Sequence, residues 1–421
     1  MLKILTGSWP LFFGLALIMI GNGLQGTLLG IRANIEGFDT VTIGIIMSLY
    51  YIGFLGGSYY APKLVSQVGH IRVFTALASL ASTTVLLHGL FPEAMLWAPI
   101  RFFTGFAYAG LYIVVESWLN DKSTNKTRGT LFGIYQFIGF GGMMLGQYLL
   151  NISDPSTMVL FVTASVLVSI ALVPVSLSSR PAPNFEEPET MPIRKLFKIS
   201  PLGLAGVFMM GIGASVMFGI GAVYATEIDM TLPQISTFMA LFIAGGALSQ
   251  VPIGWLSDKY DRRLVLIGVS FFTAISALLC WLVSGNPYIL NFMVFTLGFL
   301  CLPLYGLSMA HINDHLNPKQ FVSASSSAIL VNGMGSAIGP LLIPVLMGAF
   351  GTFMFFPSIS AVFLALGFYG IWRMTRREAV PLEEQGDFTA MPVRATPLTM
   401  AITEEGHSIM KELEKEEKKN P

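Results

Sequence analysis

Charge is what this sequence of 421 residues has least of: Asp, Glu, Lys and Arg make up 11% of it, where a soluble domain carries about 25%. Lys+Arg and Asp+Glu both number 24, so there is no net field to recruit nucleic acid. Cysteine is scarce as well. Cys280 and Cys301 lie in separate apolar stretches, which excludes a disulfide-rich secreted module and makes both residues small buried hydrophobes. The sequence holds no His/Cys/Asp cluster with metal-ligand spacing, no phosphate-cradling glycine loop followed by lysine, and no evident nucleophile–base pair. Neither a cofactor nor an enzymatic reaction is therefore expected.

What is abundant is apolar. Hydrophobic residues make up 53% of the chain, the mean hydropathy is +0.68, and long apolar runs recur from residue 9 to residue 371. A bilayer core of about 30 Å needs about 20 residues of helix. That ruler predicts twelve spans: Trp9–Gly30, Val41–Tyr60, Val73–Leu90, Ala94–Ser117, Thr130–Leu150, Met158–Val175, Leu202–Tyr224, Thr237–Trp255, Leu264–Val283, Ile289–Met309, Ser323–Leu346 and Phe353–Ile371. The expected fold is an all-α membrane protein. With both termini cytoplasmic, Lys63, Arg72, Lys122, Lys126, Arg128, Lys259, Arg262, Arg263 and Lys319 fall in inside loops. So do Arg180, Arg194, Lys195 and Lys198 and the Arg373, Arg376, Arg377 cluster, and only Arg32 falls outside. The first span is too long for a signal-peptide core and has no small-residue cleavage pattern, so it is expected to be retained.

A cytoplasmic linker at 176–201, with Pro181, Pro183, Pro188 and Pro192 among mixed charges, separates a bundle at 1–175 from a second at 202–374. Shifting residues 105–146 by 193 aligns nine identical positions out of 42, among them Gly105 with Gly298, Tyr112 with Tyr305, Asn120-Asp121 with Asn313-Asp314, and Gly142 and Gly146 with Gly335 and Gly339. Random pairing would give roughly a third as many. Two six-helix halves related by an axis along the membrane normal place a solute site at the midplane between them. Residues 375–421 read as a cytoplasmic, largely disordered tail.

Two motifs carry mechanism. Between the eighth and ninth spans runs Gly254-Trp-Leu-Ser-Asp258-Lys259-Tyr-Asp-Arg262-Arg263. Its glycine permits close helix approach, and its charges form a latch able to make and break between conformations. In the fourth span Arg101, Gly105, Tyr108 and Tyr112 form a narrow helical stripe with Glu116 at its edge. A buried arginine costs about 2.5–3.5 kcal/mol on insertion scales, so Arg101 is expected to face a wet cavity or a partner, where it binds an anionic group or tunes a proton site. Glu116 reads equally as a coupling carboxylate and as an inner-gate partner of Arg128 or Lys126. No acidic residue lies deep in the first or seventh span, which argues against a broad cationic-drug pump and favours an amphipathic or weakly anionic organic solute.

The segment from Gly254 to Arg263 resembles the signature loop of the major facilitator superfamily, with Asp261 where that family usually has glycine. In the first half the same loop is degraded, with Pro62 for glycine and Ser66 for aspartate, while Gly69 and Arg72 remain. Arg101-x-x-x-Gly105 resembles the fourth-helix motif implicated in proton coupling, and Gly335-Ser-Ala-Ile-Gly339-Pro340 resembles an antiporter motif that normally sits in the fifth span. The Val114-Val-Glu-Ser-Trp-Leu-Asn-Asp121 stretch is similar to the bacterial YcaD-like branch. The resemblance implies a monomeric secondary transporter in the bacterial inner (cytoplasmic) membrane, moving a small organic solute with H+ by alternating access. It also implies that the first, fourth, seventh and tenth spans line the pathway, which selects Gln25, Arg101, Tyr108, Tyr112, Tyr224 and Tyr305. Asn22, Tyr51, Gln136, Gln147, Ser215, Gln250 and Asn332 are further polar candidates inside the spans. A rival reading is a membrane sensor or assembly factor that keeps the fold and moves nothing.

Overall fold

The computed structural model describes residues 2–123, 127–177, 190–317 and 320–386 together with Phe388, Ala390, Met391 and Thr396; at 2–8, 122 and 128 only the backbone is described. Lys126, Arg180, Lys319, Pro181, Pro183 and Pro188 lie outside the described residues, as do 397–421.

Apolar sequence becomes helix here because a helix satisfies its own backbone hydrogen bonds where no water can. The first half comprises α1 (Leu2–Ile35), α2 (Thr40–Val68), α3 (His70–Leu90), α4 (Ala94–Lys122), α5 (Arg128–Leu149) and α6 (Val159–Ser176). A short α7 (Ile193–Ile199) lies in the linker. The second half comprises α8 (Pro201–Glu227), α9 (Leu232–Lys259), α10 (Arg262–Leu282), α11 (Pro287–Cys301), α12 (Leu304–Asn313), α13 (Phe321–Phe350) and α14 (Phe355–Met374). Eleven of these segments are long and apolar enough to cross a membrane, with α11 and α12 together as one. The 22-residue α5, richer in glycine and glutamine, fills the remaining place of the twelve. The tenth span, expected as one helix, is interrupted at Leu302–Pro303. Pro303 has no N–H to give the preceding turn, and its carbonyl restarts the helix by accepting from Leu307 N–H at 2.9 Å.

The duplication reappears as matched helix contacts. In the first half α4 packs on α2 so closely that a side chain on Gly105 would strike the Tyr50 carbonyl; in the second, α11 packs on α9 and a side chain on Gly298 would strike the Phe242 carbonyl. The α5–α1 contact at Gly146 against Ile20 is matched by the α13–α8 contact at Gly339 against Ile212. Close backbone approach of this kind is what small residues supply inside a membrane. Gly105→Val is expected to cost at least the ~1–3 kcal/mol typical of overpacking, and the loss of monodisperse protein after detergent extraction would measure it. Gly298→Val should fail in the same way.

The start of α3 and the end of α4, with the starts of α8, α10 and α13 and the ends of α9, α12 and α14, share one face, called here the basic face; the opposite is the far face. At the far face the halves are joined. Gly30 of α1 abuts Ala222 and Val223 of α8. Thr40 Oγ1 donates to Glu227 (2.9 Å), Ser48 Oγ to the Ala337 carbonyl (2.5 Å), and Asn151 Nδ2 to Ser236 Oγ (2.9 Å). Arg32 is neutralised there by Glu36 at 2.7 Å. Large apolar side chains such as Phe137, Leu248, Val251, Phe272, Phe292 and Phe368 point outward around the bundle, as a lipid-facing belt requires.

Of the expected solvated tail, residues 375–384 are almost all exposed, whereas several described residues beyond them are held against the bundles. Met391 and Thr396 are buried, and Gly386 and Phe388 bond to charged side chains of the second half.

Candidate functional site

Helical spacing puts Arg101, Tyr108 and Tyr112 on the inward face of α4, and all three are buried. The Arg101 guanidinium carbon stands 4.5 Å from the Tyr50 ring centroid, a cation–π arrangement. Aromatic contacts continue from Tyr51 through Tyr50, Phe54 and Tyr112 to Tyr108, with centroids 5.3–6.3 Å apart. Asn22 of α1 donates to Tyr112 Oη at 2.6 Å. Gln147 ties α5 to α1, accepting from Thr27 Oγ1 (2.6 Å) and donating to the Gly23 carbonyl (2.9 Å).

Part of this set lines a cavity of about 20 Å³ at the seam between the halves; Tyr108 and Tyr112 lie outside its lining. The first half contributes Arg101, Asn22, Thr27, Tyr50, Tyr51 and Gln147, and Phe218 and Met239 of the second half close it. The mix is mostly apolar and aromatic, with one cation and a few amides and hydroxyls. At this volume the cavity holds about one water, far short of the ~300 Å³ of a small-molecule site, so a solute would need the halves to move apart.

The other selected residues divide. Gln25 is fully buried on α1, and neither amide atom has a hydrogen-bond partner among the described residues. The Tyr108 hydroxyl is likewise without one among them. Such buried groups mark where water or solute would bond. Glu116 lies nearer the basic face, fully buried, and accepts hydrogen bonds from Tyr135 Oη (2.6 Å) and Thr396 Oγ1. Its alternative partners, the side chains of Lys126 and Arg128, lie outside the described residues. Tyr305, just past the α11–α12 break, is within electrostatic reach of Glu116. Tyr224 is not at the cavity. It stacks on Phe355 at 4.6 Å and packs against Phe356 and Phe238, inside the second half. Position in the seventh span placed it on the pathway; an aromatic cluster of its own bundle claims it instead.

The charge motif is built around Arg262, which is 1% exposed. It bonds Asp314 at 2.5 Å, Asp258 at 3.1 Å and Ser257 at 2.8 Å. All of these belong to the second half, so the ion pairs tie α9, α10 and the end of α12 together and do not cross to the first half. Asp261 stands in place of the family glycine because it caps α10, accepting from Arg263 N–H at 2.9 Å and pairing with the Arg263 guanidinium. Lys259 lies over the Trp255 ring at 4.8 Å. Gly254 leaves room for the Phe388 ring. Burial raises the Asp314 carboxyl to about 6 against the pull of Arg262. Asp314 was not among the expected latch residues, although its match to Asp121 in the internal repeat marked it. In the degraded first-half loop, Gly69 persists because its φ is +86°, a conformation that penalises a side chain.

Sequence reasoning missed Tyr50, Thr27, Phe218 and Met239. Tyr50 neighbours the candidate Tyr51, and nothing in a single sequence says which of two adjacent tyrosines meets Arg101.

Comparison with known proteins agrees with this geometry. A family model described as Major Facilitator Superfamily matches residues 11–233 and 202–407. An uncharacterized MFS-type transporter of Enterobacter sp. (strain 638) is 27% identical over 355 residues, covering 84% of this chain and 92% of that protein. The uncharacterized MFS-type transporter YcaD of Escherichia fergusonii is 26% identical over 354 residues, with the same coverage. Among solved structures, a bacterial homolog of the human lysosomal transporter Spinster, inward-facing and occupied, superposes with a TM-score of 0.73 at 13% identity, over 90% of this chain and 97% of that one. The nucleoside transporter NupG gives 0.70 at 14% identity, over 90% of this chain and 100% of that one. At such identities the superpositions speak for the fold alone. The sequence match over nearly the whole chain and the paired six-helix bundles make this protein a member of the major facilitator superfamily.

Proposed function

We propose that this membrane transporter is a proton-coupled secondary active transporter of a small amphipathic or weakly anionic organic solute, working by alternating access in the bacterial cytoplasmic membrane with its basic face inside. The observation that carries the reading is the seam cavity, where a buried guanidinium and a row of aromatic rings from one half face apolar side chains of the other. A cation held at depth is costly unless it serves an anionic group or a proton site. In this reading a bundle joined at its far face belongs to the part of the cycle closed on that side.

Glu116 is the coupling carboxylate in this reading. It is fully buried and bonded to two hydroxyls, an environment that changes when the halves rock. A thermal-shift screen of metabolites on purified protein identifies the solute, and proteoliposome uptake under an imposed pH gradient then tests coupling. Wild type should accelerate with the gradient, and Glu116→Gln should transport at a rate indifferent to it. Wild-type uptake that ignores the gradient rules out proton coupling. Cysteine accessibility that stays the same from each side with every candidate solute favours the non-transporting sensor.

A further inference from the structure

At the basic face the chain's own C-terminal residues bond to both halves. Beyond α14 the backbone turns back through Pro381–Gly386 and reaches the charge motif of the second half. The Gly386 carbonyl accepts from Arg262 Nη2 at 2.6 Å, and its N–H donates to Asp314 Oδ1 at 3.2 Å. Asp258 Oδ1, which also binds Arg262, accepts from the Phe388 N–H at 2.8 Å. The Phe388 ring lies where any side chain on residue 254 would have to go. Further along, Met391 is buried, and the fully buried Thr396 donates its hydroxyl to Glu116 of the first half.

Three features make this a built seat. A buried arginine and two aspartates receive main-chain groups, which a peptide presents whatever its side chains. A glycine in the signature loop provides the socket for one aromatic ring. The bonded residues are fixed on opposite halves, at Asp258, Asp314 and Arg262 on one side and at Glu116 on the other. About ten residues separate Gly386 from Thr396, a reach of at most about 35 Å.

We propose that this basic-face surface is a peptide-docking site whose occupant is the chain's own C-terminal residues Gly386, Phe388, Met391 and Thr396, and that their seating holds the transporter shut. Closing the basic face, as the far face opens, requires the halves to meet where these residues lie. Solute leaving the cavity toward the basic face meets the same obstruction. Transport therefore requires the segment to leave its seat, which releases Glu116 from Thr396 and Asp258 from Phe388 in one step. The consequence for transport rests on the function proposed above; the seat itself does not.

The test uses the full chain. Met391→Cys is the reporter, because Met391 is 4% exposed and the two native cysteines are 0% and 1% exposed. Alkylation of the purified reporter protein by a soluble maleimide should be at least about tenfold slower at position 391 than in the unfolded control. Two separate releasing changes should abolish that protection. Phe388→Glu sets a carboxylate beside Asp258 and empties the socket at Gly254, whereas Thr396→Val removes only the hydroxyl bonded to Glu116. Both should raise the initial rate of solute uptake several-fold in proteoliposomes. A thiol at position 391 that reacts equally fast with and without the releasing changes overturns the docking. Protection that is lost without any rise in uptake overturns the blocking role. If no protein, wild type included, moves any solute, the transport reading fails while the alkylation rates still decide whether the segment is seated.

Discussion

Replacing Arg101 by alanine should weaken solute binding on the order of 10- to 100-fold while leaving the fold intact. A charged side chain at this depth opposes insertion by about 2.5–3.5 kcal/mol, and its contact with the Tyr50 ring returns about 0.5–2 kcal/mol. The contact returns only part of the cost, so removing the guanidinium should leave the melting temperature at or above that of wild type. Loss of a charge-assisted hydrogen bond to a solute costs about 1.5–3 kcal/mol, equivalent to on the order of 10- to 100-fold in apparent affinity. The measurements are the melting temperature without solute, the solute-induced shift, and uptake. Arg101→Lys should recover only part of the affinity, since an ammonium lacks the flat face that lies over Tyr50. A variant that melts far below wild type would make Arg101 a structural tie between helices.

Arg262→Met should produce the largest loss of stability of any single change outside the helix contacts, about 3–5 kcal/mol. The substitution strips Asp314, whose side chain is 1% exposed, of its counter-charge and also removes the bonds to Ser257, Asp258 and Gly386. Pairing it with Asp314→Leu should return much of the loss, because two apolar side chains then replace the buried ion pair and the remaining carboxylate, Asp258, is 38% exposed to water. Thermal unfolding of the two single variants and the double variant measures the coupling. The Met391→Cys reporter should also lose its protection in Arg262→Met, since Gly386 is held by the same guanidinium.

Asp314 gives this region a pH dependence. Its ordinary value is 3.8, and burial lifts it to about 6 in the fold. The folded chain therefore holds a proton between those values that the unfolded chain has released. The sign follows: this group's stabilising contribution is complete below about pH 4 and is lost as pH rises through about 6. Asp314→Asn, which cannot titrate, should remove that component from the dependence of melting temperature on pH. Asp258, Asp261, His311, His315, Arg263 and Arg377 also face this region, so the comparison with wild type isolates the one group.

Much was legible in the sequence. Hydrophobic runs of bilayer length set the number and order of the spans, since each such run, coiled as a helix, satisfies its own backbone in lipid. The glycines matched between the halves announced where helices touch, because backbone contact excludes every larger residue. Arg101 was recognisable as interior from its cost alone. What the sequence could not supply was the identity of neighbours. Tyr224 shares its chemistry with true cavity residues, and only packing against Phe355 and Phe356 removed it. Tyr50 became the partner of Arg101, and Asp314 the partner of Arg262, through contacts between helices far apart in the chain.

The C-terminal segment marks the boundary most sharply. Its composition is polar enough to stay in water, and its seat is distributed over residues 116, 254, 258, 262 and 314, which adjoin only after both halves have folded. Periodicity and hydropathy are local properties, so they determined that this chain is a paired-bundle membrane protein with one deep arginine. The cavity's second wall, the closed far face and the docked segment depend on surfaces brought together from distant spans, and the tertiary structure alone decided them.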